Sequence, residues 1–564
     1  MIIFDENNQN KKVDELHLKE AEGLAQMLSQ KYKLPYIDLT KSAINTDALN
    51  LIPEKEAREA GMAPFKLLGH MIDIAIITPN NPLIADIIRT MHENKGFTTK
   101  LYLASKNSLE HAWKRYEEAG KSTRTDTGVI QISDEIIAQY ITEFKNIIDV
   151  KKALAEEVAI SLDKGSISNL LEVILSGALA TSASDIHIEP EENAIRLRYR
   201  LDGILHDIDN IDNRLFRQIA SRLKLVSGMK LNIQQASQDG RFSIKENGTE
   251  IEIRASIIPS SYGESIVMRV LNPKNIDVSF DSLGVDDQLY KIFEREISRP
   301  NGMILLTGPT GSGKTTTLYS FLRKVNSPDS KIITIEDPIE YHLKGINQTQ
   351  VNRTKGYTFL SGLRASLRQD PDIIMIGEIR DSETAKIAIN ASLTGHLVFS
   401  TLHTNKAAGA IPRLIDLGVN AKILTSALTL SIAQRLVRRL CPICKKEDIP
   451  TIEEKELIDK VITEIKKKKP ELVISQTEKV WRPVGCEECN QTGYKGRVGV
   501  YEALVIDDAV AKVAIENPNE KEIEIAAIPQ GILNLRQDGI LKILTGITDM
   551  SELGRVVDLT EEFL

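Results

Sequence analysis

The 564-residue sequence predicts a multidomain α/β protein whose core is a parallel sheet. The chain is too long for one hydrophobic core, so about three to five domains are expected. Three apolar runs, at residues 303–306, 332–335 and 373–376, each lead into glycine or charged residues. Buried strands that deliver such residues to one sheet edge are typical of an open parallel sheet with a ligand site at that edge.

The first apolar run leads into a complete phosphate-binding motif, G-x-x-x-x-G-K-T, before a predicted helix. This strand, loop and helix context is what such a motif requires, and it disfavours the alternative of a glycine-rich turn that binds nothing. Lys314 is predicted to reach the β- and γ-phosphates of ATP, and the Thr315 hydroxyl to ligate Mg²⁺. The predicted nucleotide-binding residues of the loop are Gly308, Pro309, Thr310, Gly311, Ser312, Gly313, Lys314, Thr315 and Thr316.

Composition limits the functional classes. The net charge of −8 argues against broad nucleic-acid binding. The N-terminal residues lack the charged and apolar regions of a signal peptide, and no apolar run approaches the roughly 20 residues that span a bilayer. A cytoplasmic protein is therefore expected, with any membrane association made through a partner.

Two predicted domains precede the phosphate loop. Residues 1–116 form an α/β module without a catalytic constellation, which favours partner docking over ligand binding. Residues 117–150 are predicted as a linker, and residues 151–280 as a small α+β domain. Its strands carry Arg254 and Arg269, which leave two interpretations open: a solvated sheet face, or arginine fingers donated across a domain or subunit boundary.

The predicted ATPase domain covers residues 281–564. Glu336 and Glu340 follow the second apolar run. We expect these carboxylates, at that edge of the sheet, to orient water and to take part in nucleotide binding. Glu378 follows the third run and is predicted to face Mg²⁺ through water. Arg364 and Arg368 lie one helical turn apart and share a face. His403 follows a further strand and could touch the γ-phosphate.

All four cysteines occur in two C-x-x-C pairs: Cys441, Cys444, Cys486 and Cys489. This spacing is a strong signature of a structural, tetrahedral Zn²⁺ site. A redox pair and free structural thiols are the alternatives. The intervening residues 445–480 contain nine lysines and nine acidic residues, so we interpret them as a solvated projection.

Taken together, these motifs resemble those of the hexameric ATPases of type II secretion systems and type IV pilus assembly. The matching boxes are residues 308–316, 333–340, 377–381 and 394–405, supported by residues 184–190 and the cysteines. The resemblance implies a RecA-like core, a PAS-like domain before it and a zinc-binding insertion. It also implies a homohexamer that acts on an inner-membrane platform protein, peripheral to that membrane.

Site roles follow from the resemblance as expectations. Glu340 resembles the family's catalytic glutamate, Glu378 its metal-motif carboxylate and His403 its phosphate-sensing histidine. Arg254, Arg269, Arg364 and Arg368 match positions that gather charge around the nucleotide. The arginine- and leucine-rich repeat that binds a cyclic dinucleotide in some relatives is not found at residues 1–60. A nucleic-acid-translocating motor is the alternative function, and the boxes leave pilus extension and secretion equally open.

Overall fold

The computed structural model describes residues 21–42, 44–49, 51–68, 71–95, 97–116, 134–164, 168–246, 248–273, 278–474 and 477–560. The first part of the predicted linker, residues 117–133, lies outside these ranges, as do residues 1–20. The chain divides into two compact units, Met1–Asn272 and Pro273–Leu564. Within the described ranges, no helix combines the length and apolar character that a membrane span requires.

The first unit begins with a three-stranded sheet in the order β1-β2-β3, with β1 and β2 antiparallel and β2 and β3 parallel. Trp113 anchors a helix on it, because its buried indole N–H donates to the Met62 carbonyl at 3.0 Å. The strands are β1 (Met62–Leu68), β2 (Met71–Ile76) and β3 (Thr98–Leu103). The helices are α1 (21–32), α2 (Thr46–Leu49), α3 (Glu54–Ala60), α4 (Pro82–Lys95) and α5 (Lys106–Lys114).

A six-stranded antiparallel sheet in the order β6-β5-β4-β9-β8-β7 completes this unit. One face is buried against helices, and the other carries the charged residues. Its strands are β4 (Asp185–Pro190), β5 (Ile195–Leu201), β6 (Ile204–Ile211), β7 (Gln238–Glu246), β8 (Thr249–Ser260) and β9 (Gly263–Leu271). Its helices are α6 (Asp134–Glu143), α7 (Ile147–Lys164), α8 (Ser168–Ala180) and α9 (Asn213–Val226).

Two features of this domain differ from a simple reading of the sequence. Residues 134–150, which the sequence placed in the linker, contribute Ile137, Phe144 and Val150 to the same core as the six-stranded sheet. The Asp239-Gly240 pair suggests a hairpin turn, and that prediction is wrong, because both residues lie inside β7. Gly240 instead permits close approach, since a Cβ there would lie 2.3 Å from the Ser227 carbonyl oxygen.

The second unit contains a seven-stranded sheet in the order β12-β11-β13-β14-β10-β15-β18. All neighbours are parallel except β15 and β18, which confirms the predicted parallel-sheet core. Alternate residues of β10 belong to two separate apolar clusters, so both faces of the sheet are covered. The strands are β10 (Gly302–Thr307), β11 (Ile332–Glu336), β12 (Asn347–Gln350), β13 (Ile373–Ile376), β14 (Leu397–Leu402), β15 (Leu428–Leu440) and β18 (Tyr494–Val505).

Among its described residues, this unit also contains a two-stranded sheet and eleven α-helices. The two strands are β16 (Lys446–Asp448) and β17 (Val480–Arg482). The helices are α10 (Asp287–Ile297), α11 (Lys314–Val325), α12 (Phe359–Ser366), α13 (Ser382–Leu393), α14 (Ala410–Asp416), α15 (Ala421–Ala427), α16 (Ile452–Lys468), α17 (Asp508–Glu516), α18 (Glu520–Ala527), α19 (Leu535–Leu544) and α20 (Met550–Val556).

The segment between the cysteine pairs is not a solvated projection, so that interpretation is wrong. Helix α16 buries Ile458, Val461, Ile462 and Ile465 in the core of the unit. Glu464 of α16 pairs with the buried Arg536 of α19 at 2.7 Å. The apolar residues recur at helical spacing, and this pattern outweighs the balanced charge count of the segment.

Candidate nucleotide site

The phosphate loop connects β10, an interior strand of the sheet, to helix α11. Gly308 and Gly313 have φ values of 142° and 86°, a region that residues with a side chain rarely adopt. A Cβ at Gly308 would lie 2.7 Å from the Gln434 carbonyl oxygen, so the loop backbone rests directly on β15. The loop therefore ends at a helix N-terminus with its glycines in the conformations that an anion-binding turn uses.

Lys314 is buried at the start of α11, and its ammonium group is held inside the loop. Its Nζ donates to the carbonyl oxygens of Gly308 at 2.7 Å and Pro309 at 3.0 Å. The pKa of Lys314 is lowered to about 8, chiefly by burial; the Glu378 carboxylate opposes this shift, and the nearby Arg435 contributes to it. A bound phosphate would favour the charged form of the lysine.

The lowered pKa of Lys314 predicts a pH-dependent affinity for nucleotide. Below a pH of about 8 the Lys314 ammonium is charged and attracts phosphate. Above that pH the neutral amine must take up a proton before it can attract phosphate. The dissociation constant for Mg²⁺-free ADP is therefore expected to be about tenfold larger at pH 9 than at pH 7. Fluorescent-nucleotide titrations would measure it. Lys314→Arg should give a flat profile, and a flat profile in the unaltered chain would contradict the prediction.

Two neighbouring strands bring Glu378 and His403 together at the carboxyl edge of the sheet. Glu378 follows β13 and His403 follows β14, and Glu378 Oε2 lies 3.5 Å from His403 Nε2. Glu378 is largely shielded, with a side chain 13% exposed, while His403 is 55% exposed. Arg380 forms an ion pair with the same carboxylate. The Glu378 carboxylate also raises the pKa of Lys314, so Lys314, Glu378 and His403 lie in one site.

The acidic residues at the end of β11 and just after it are anchored by a tyrosine that the sequence did not single out. Tyr319 of α11 donates through its hydroxyl to Glu336, and the backbone N–H of Glu340 donates to that hydroxyl. Glu336 is buried and also accepts from Thr334 and, at 3.1 Å, from Gln348. Burial raises the pKa of Glu336. This environment favours a structural role for Glu336, whereas Glu340 is half-buried at the end of the anchored segment.

Arg364 and Arg368 lie on the exposed side of this edge. Arg364 Nη2 lies 3.7 Å from Glu383 Oε2, and Arg368 Nη1 donates to the Arg364 carbonyl at 3.0 Å. Their assignment to the nucleotide stays a prediction.

Arg254 and Arg269 belong to a row of charged residues across five strands of the six-stranded sheet. Cross-strand pairing places Arg200, Asp185, Arg269, Arg254 and Arg241 side by side in that order. Asp185 lies within 3.4 Å of Arg200 and 3.3 Å of Arg269. Asp185 therefore pairs with two of the four guanidinium groups in the row, and Arg254 pairs with Glu252 at 2.9 Å. Arg269 remains 59% exposed.

The four cysteines form a cluster whose geometry fits a tetrahedral metal ion. Their sulfur atoms lie within 4.8 Å of one another, and three Sγ–Sγ distances are 3.7 to 3.8 Å. A zinc ion with Zn–S bonds of about 2.3 Å implies sulfur atoms about 3.8 Å apart. Backbone N–H groups of Gly485 and Gly493 also point to Cys444 and Cys489 sulfurs at 3.3 and 3.2 Å. The residues could therefore hold Zn²⁺ through four thiolates.

Removal of that metal should destabilise the second unit. The cluster joins the end of β15 to the segment before β18. Loss of the metal–sulfur bonds should therefore lower the free energy of unfolding by several kcal/mol. We expect Cys441→Ser to lose bound zinc and to lower the melting temperature by roughly 10 °C. Ile443→Ser, at an exposed position between two of the cysteines, is the matched control. An unchanged melting profile in a zinc-free Cys441→Ser chain would contradict a structural metal site.

Sequence reasoning also missed Gln434 and Arg435 of β15. Both are buried beneath the phosphate loop. Part of their signal was available, because Gln434 and Arg435 follow the apolar pair Ile432-Ala433 within a buried strand, where a polar group is costly without a partner.

Comparison with known proteins agrees with this architecture. Residues 161–555 match the family described as type II/IV secretion system protein, and residues 32–123 match the MshEN domain. The chain belongs to the type II/IV secretion system protein family. This membership confirms the resemblance inferred from the sequence boxes.

Individual relatives extend over most of this chain. The type IV pilus assembly ATPase PilB of Myxococcus xanthus is 38% identical over 95% of this chain and 91% of its own length. Type II secretion system protein E of Aeromonas hydrophila is 45% identical over 72% of this chain and 79% of its own. The solved structure of the ATPase DotB from Yersinia pseudotuberculosis has a TM-score of 0.51 at 20% identity, covering 70% of this chain and 94% of that one. It shows the shared fold.

Proposed function

We propose that this chain is a motor ATPase that drives assembly of pilin-like fibres, in type IV pilus extension or type II secretion. The observation that carries the proposal is the convergence of Lys314, Glu378 and His403 at the carboxyl edge of the parallel sheet. ATP hydrolysis follows from membership of the family together with a complete phosphate loop. Relatives named for pilus assembly and for type II secretion support both destinations.

The residues of the site divide the work of hydrolysis. Lys314 exchanges the Gly308 and Pro309 carbonyls for phosphate oxygens when nucleotide enters the loop. Glu340 polarises the attacking water. The position of Glu340 is fixed by the hydrogen bond that its backbone N–H donates to the Tyr319 hydroxyl. Glu378 orients His403 toward the terminal phosphate. The Thr315 hydroxyl directly, and the Glu378 carboxylate through water, would hold Mg²⁺, which would supply positive charge against the charge that develops on the phosphate oxygens.

Arg254 and Arg269 supply further positive charge to the nucleotide in this proposal. Support comes from the row in which they stand, because Arg269 is 59% exposed and three further guanidinium groups lie in the same row. Guanidinium groups of this kind stabilise the transition state of phosphoryl transfer when they reach it from another domain or subunit. In a homohexamer, which the family resemblance implies, these guanidinium groups can come from another domain of the same chain or from a neighbouring subunit.

The partners of the motor complete the proposal. The chain would act on an inner-membrane platform protein from the cytoplasmic side, and residues 1–116 would dock on a component of the same machinery. Nucleic acid is not an expected partner, given the net charge of −8.

The test is ATP hydrolysis by the purified chain, alone, with the platform protein in vesicles, and with DNA at physiological salt. Stimulation by the platform protein and indifference to DNA would support the proposal. Stimulation by DNA alone would instead favour a nucleic-acid-translocating motor.

A further inference from the structure

Gln434 and Arg435 lie in the middle of β15, which pairs with β10, the strand that leads into the phosphate loop. Both side chains are buried, and Arg435 is only 9% exposed. A guanidinium in such a position costs free energy unless its donors are satisfied. Its contacts therefore indicate why the sequence retains a charge here.

These two residues touch the phosphate loop and helix α11. The Gln434 side chain accepts a hydrogen bond of 2.9 Å from the Thr317 hydroxyl, in the first turn of α11. The Gln434 carbonyl lies under Gly308, where there is no room for a Cβ. Arg435 Nη1 donates to that same carbonyl at 3.0 Å. One end of the planar Arg435 guanidinium fork is thus fixed to β15 at the point where Gly308 of the phosphate loop rests on that strand.

The other end of the fork holds the segment that follows His403. Arg435 Nη2 donates to the Asn405 backbone oxygen at 2.9 Å and to its side-chain oxygen at 3.2 Å. Asn405 is two residues after His403, and the next residues are tied to β15 as well, because the Ser431 hydroxyl donates to the Ala407 carbonyl at 2.8 Å. The guanidinium is planar and rigid, so its two ends set a fixed separation.

We propose that Arg435 is a positioning residue for hydrolysis, whose fork holds the His403 segment at a fixed distance from the phosphate loop. The inference rests on the proposed ATPase function of this site. Arg435 acts through Asn405 and Gln434 and does not itself bind phosphate. Lysine at this position would keep the charge, but its single ammonium cannot reproduce the rigid fork.

The test compares steady-state kinetics of Arg435→Lys with the unaltered chain. We expect kcat to fall about 10- to 100-fold and KM for ATP to change less than about threefold, because misplacement of a catalytic group by about 1 Å has effects of this size. Arg439→Lys is the matched control, since Arg439 lies on the same strand and is exposed. Its kcat should stay within about twofold of normal.

A second variant separates positioning from folding. Asn405→Ala removes the side-chain acceptor of the fork and should also lower kcat without raising KM. Combined with Arg435→Lys, Asn405→Ala should add little further loss of kcat, because both substitutions weaken the same contact between residues 435 and 405. This double-mutant cycle does not depend on Arg435→Lys reaching normal thermal stability.

The outcomes distinguish this inference from the proposed function. If the unaltered chain does not hydrolyse ATP, the proposed function fails. If it does, while Arg435→Lys and Asn405→Ala keep normal kcat, the positioning role is wrong. A rise in KM for Arg435→Lys with unchanged kcat would also overturn it, because that result would make Arg435 a phosphate-binding residue.

Discussion

Replacing Glu340 by glutamine is expected to lower kcat for ATP hydrolysis by about 10³-fold while leaving nucleotide affinity nearly unchanged. Glutamine keeps the size of the side chain and removes the negative charge that polarises water. The backbone contact with Tyr319 does not involve the substituted atoms, so the segment after β11 should keep its place. Phosphate release and fluorescent-nucleotide binding, measured on the same preparation, would separate the two effects.

The control for this prediction is Glu294→Gln. Glu294 is an exposed carboxylate on α10 that pairs with Lys324 at 3.4 Å. The Glu294→Gln variant should hydrolyse ATP at the normal rate. Turnover by Glu340→Gln within a few-fold of normal would show that another group activates the water.

Arg269→Ala is expected to lower kcat by at least about 100-fold, with a smaller effect on ATP binding. The change removes a half-exposed guanidinium whose recorded partner is Asp185, so the fold of the six-stranded sheet should survive. Under our proposal the lost charge is needed in the transition state. Rate measurements at saturating ATP, with a melting curve for each variant, would test this.

Arg196→Ala provides the matched control. Arg196 stands on the same charged face of the sheet but pairs with Asp207 at 2.6 Å, outside the row that contains Arg269. It should retain full activity. Equal losses in both variants would mean that the charged face supports the fold, and an active Arg269→Ala would exclude a catalytic role for that residue.

The sequence predicted the parts of the fold that follow from local patterns. The phosphate loop was recognisable because its glycines, Lys314 and flanking apolar strand form a continuous motif. Apolar and polar residues alternate at 195–201, a pattern typical of a strand because successive side chains point to opposite sides, and these residues form β5 with its arginines on one face. The four cysteines were predictable as one cluster because metal-ligand spacing is itself local.

Features that depend on long-range pairing could not be predicted in this way. Arg435 meets Asn405 only because β14, which precedes Asn405, and β15 lie on either side of β10 in the folded sheet, and 30 residues separate the two in sequence. Tyr319 binds Glu336 for a similar reason. Helix α16 was misinterpreted because its charge balance was counted while its apolar stripe was overlooked. Gly240 was taken for a turn, although glycine also serves where two backbones approach closely.

The central claim is that hydrolysis at this site drives assembly of pilin-like fibres. The most direct measurement replaces the gene in its host by one encoding Glu340→Gln and counts surface fibres and secreted protein at matched levels of the chain. We expect fibres or secretion, whichever this machinery serves, to be lost while the protein remains present and binds ATP. Normal fibres and normal secretion in that strain would contradict the claim.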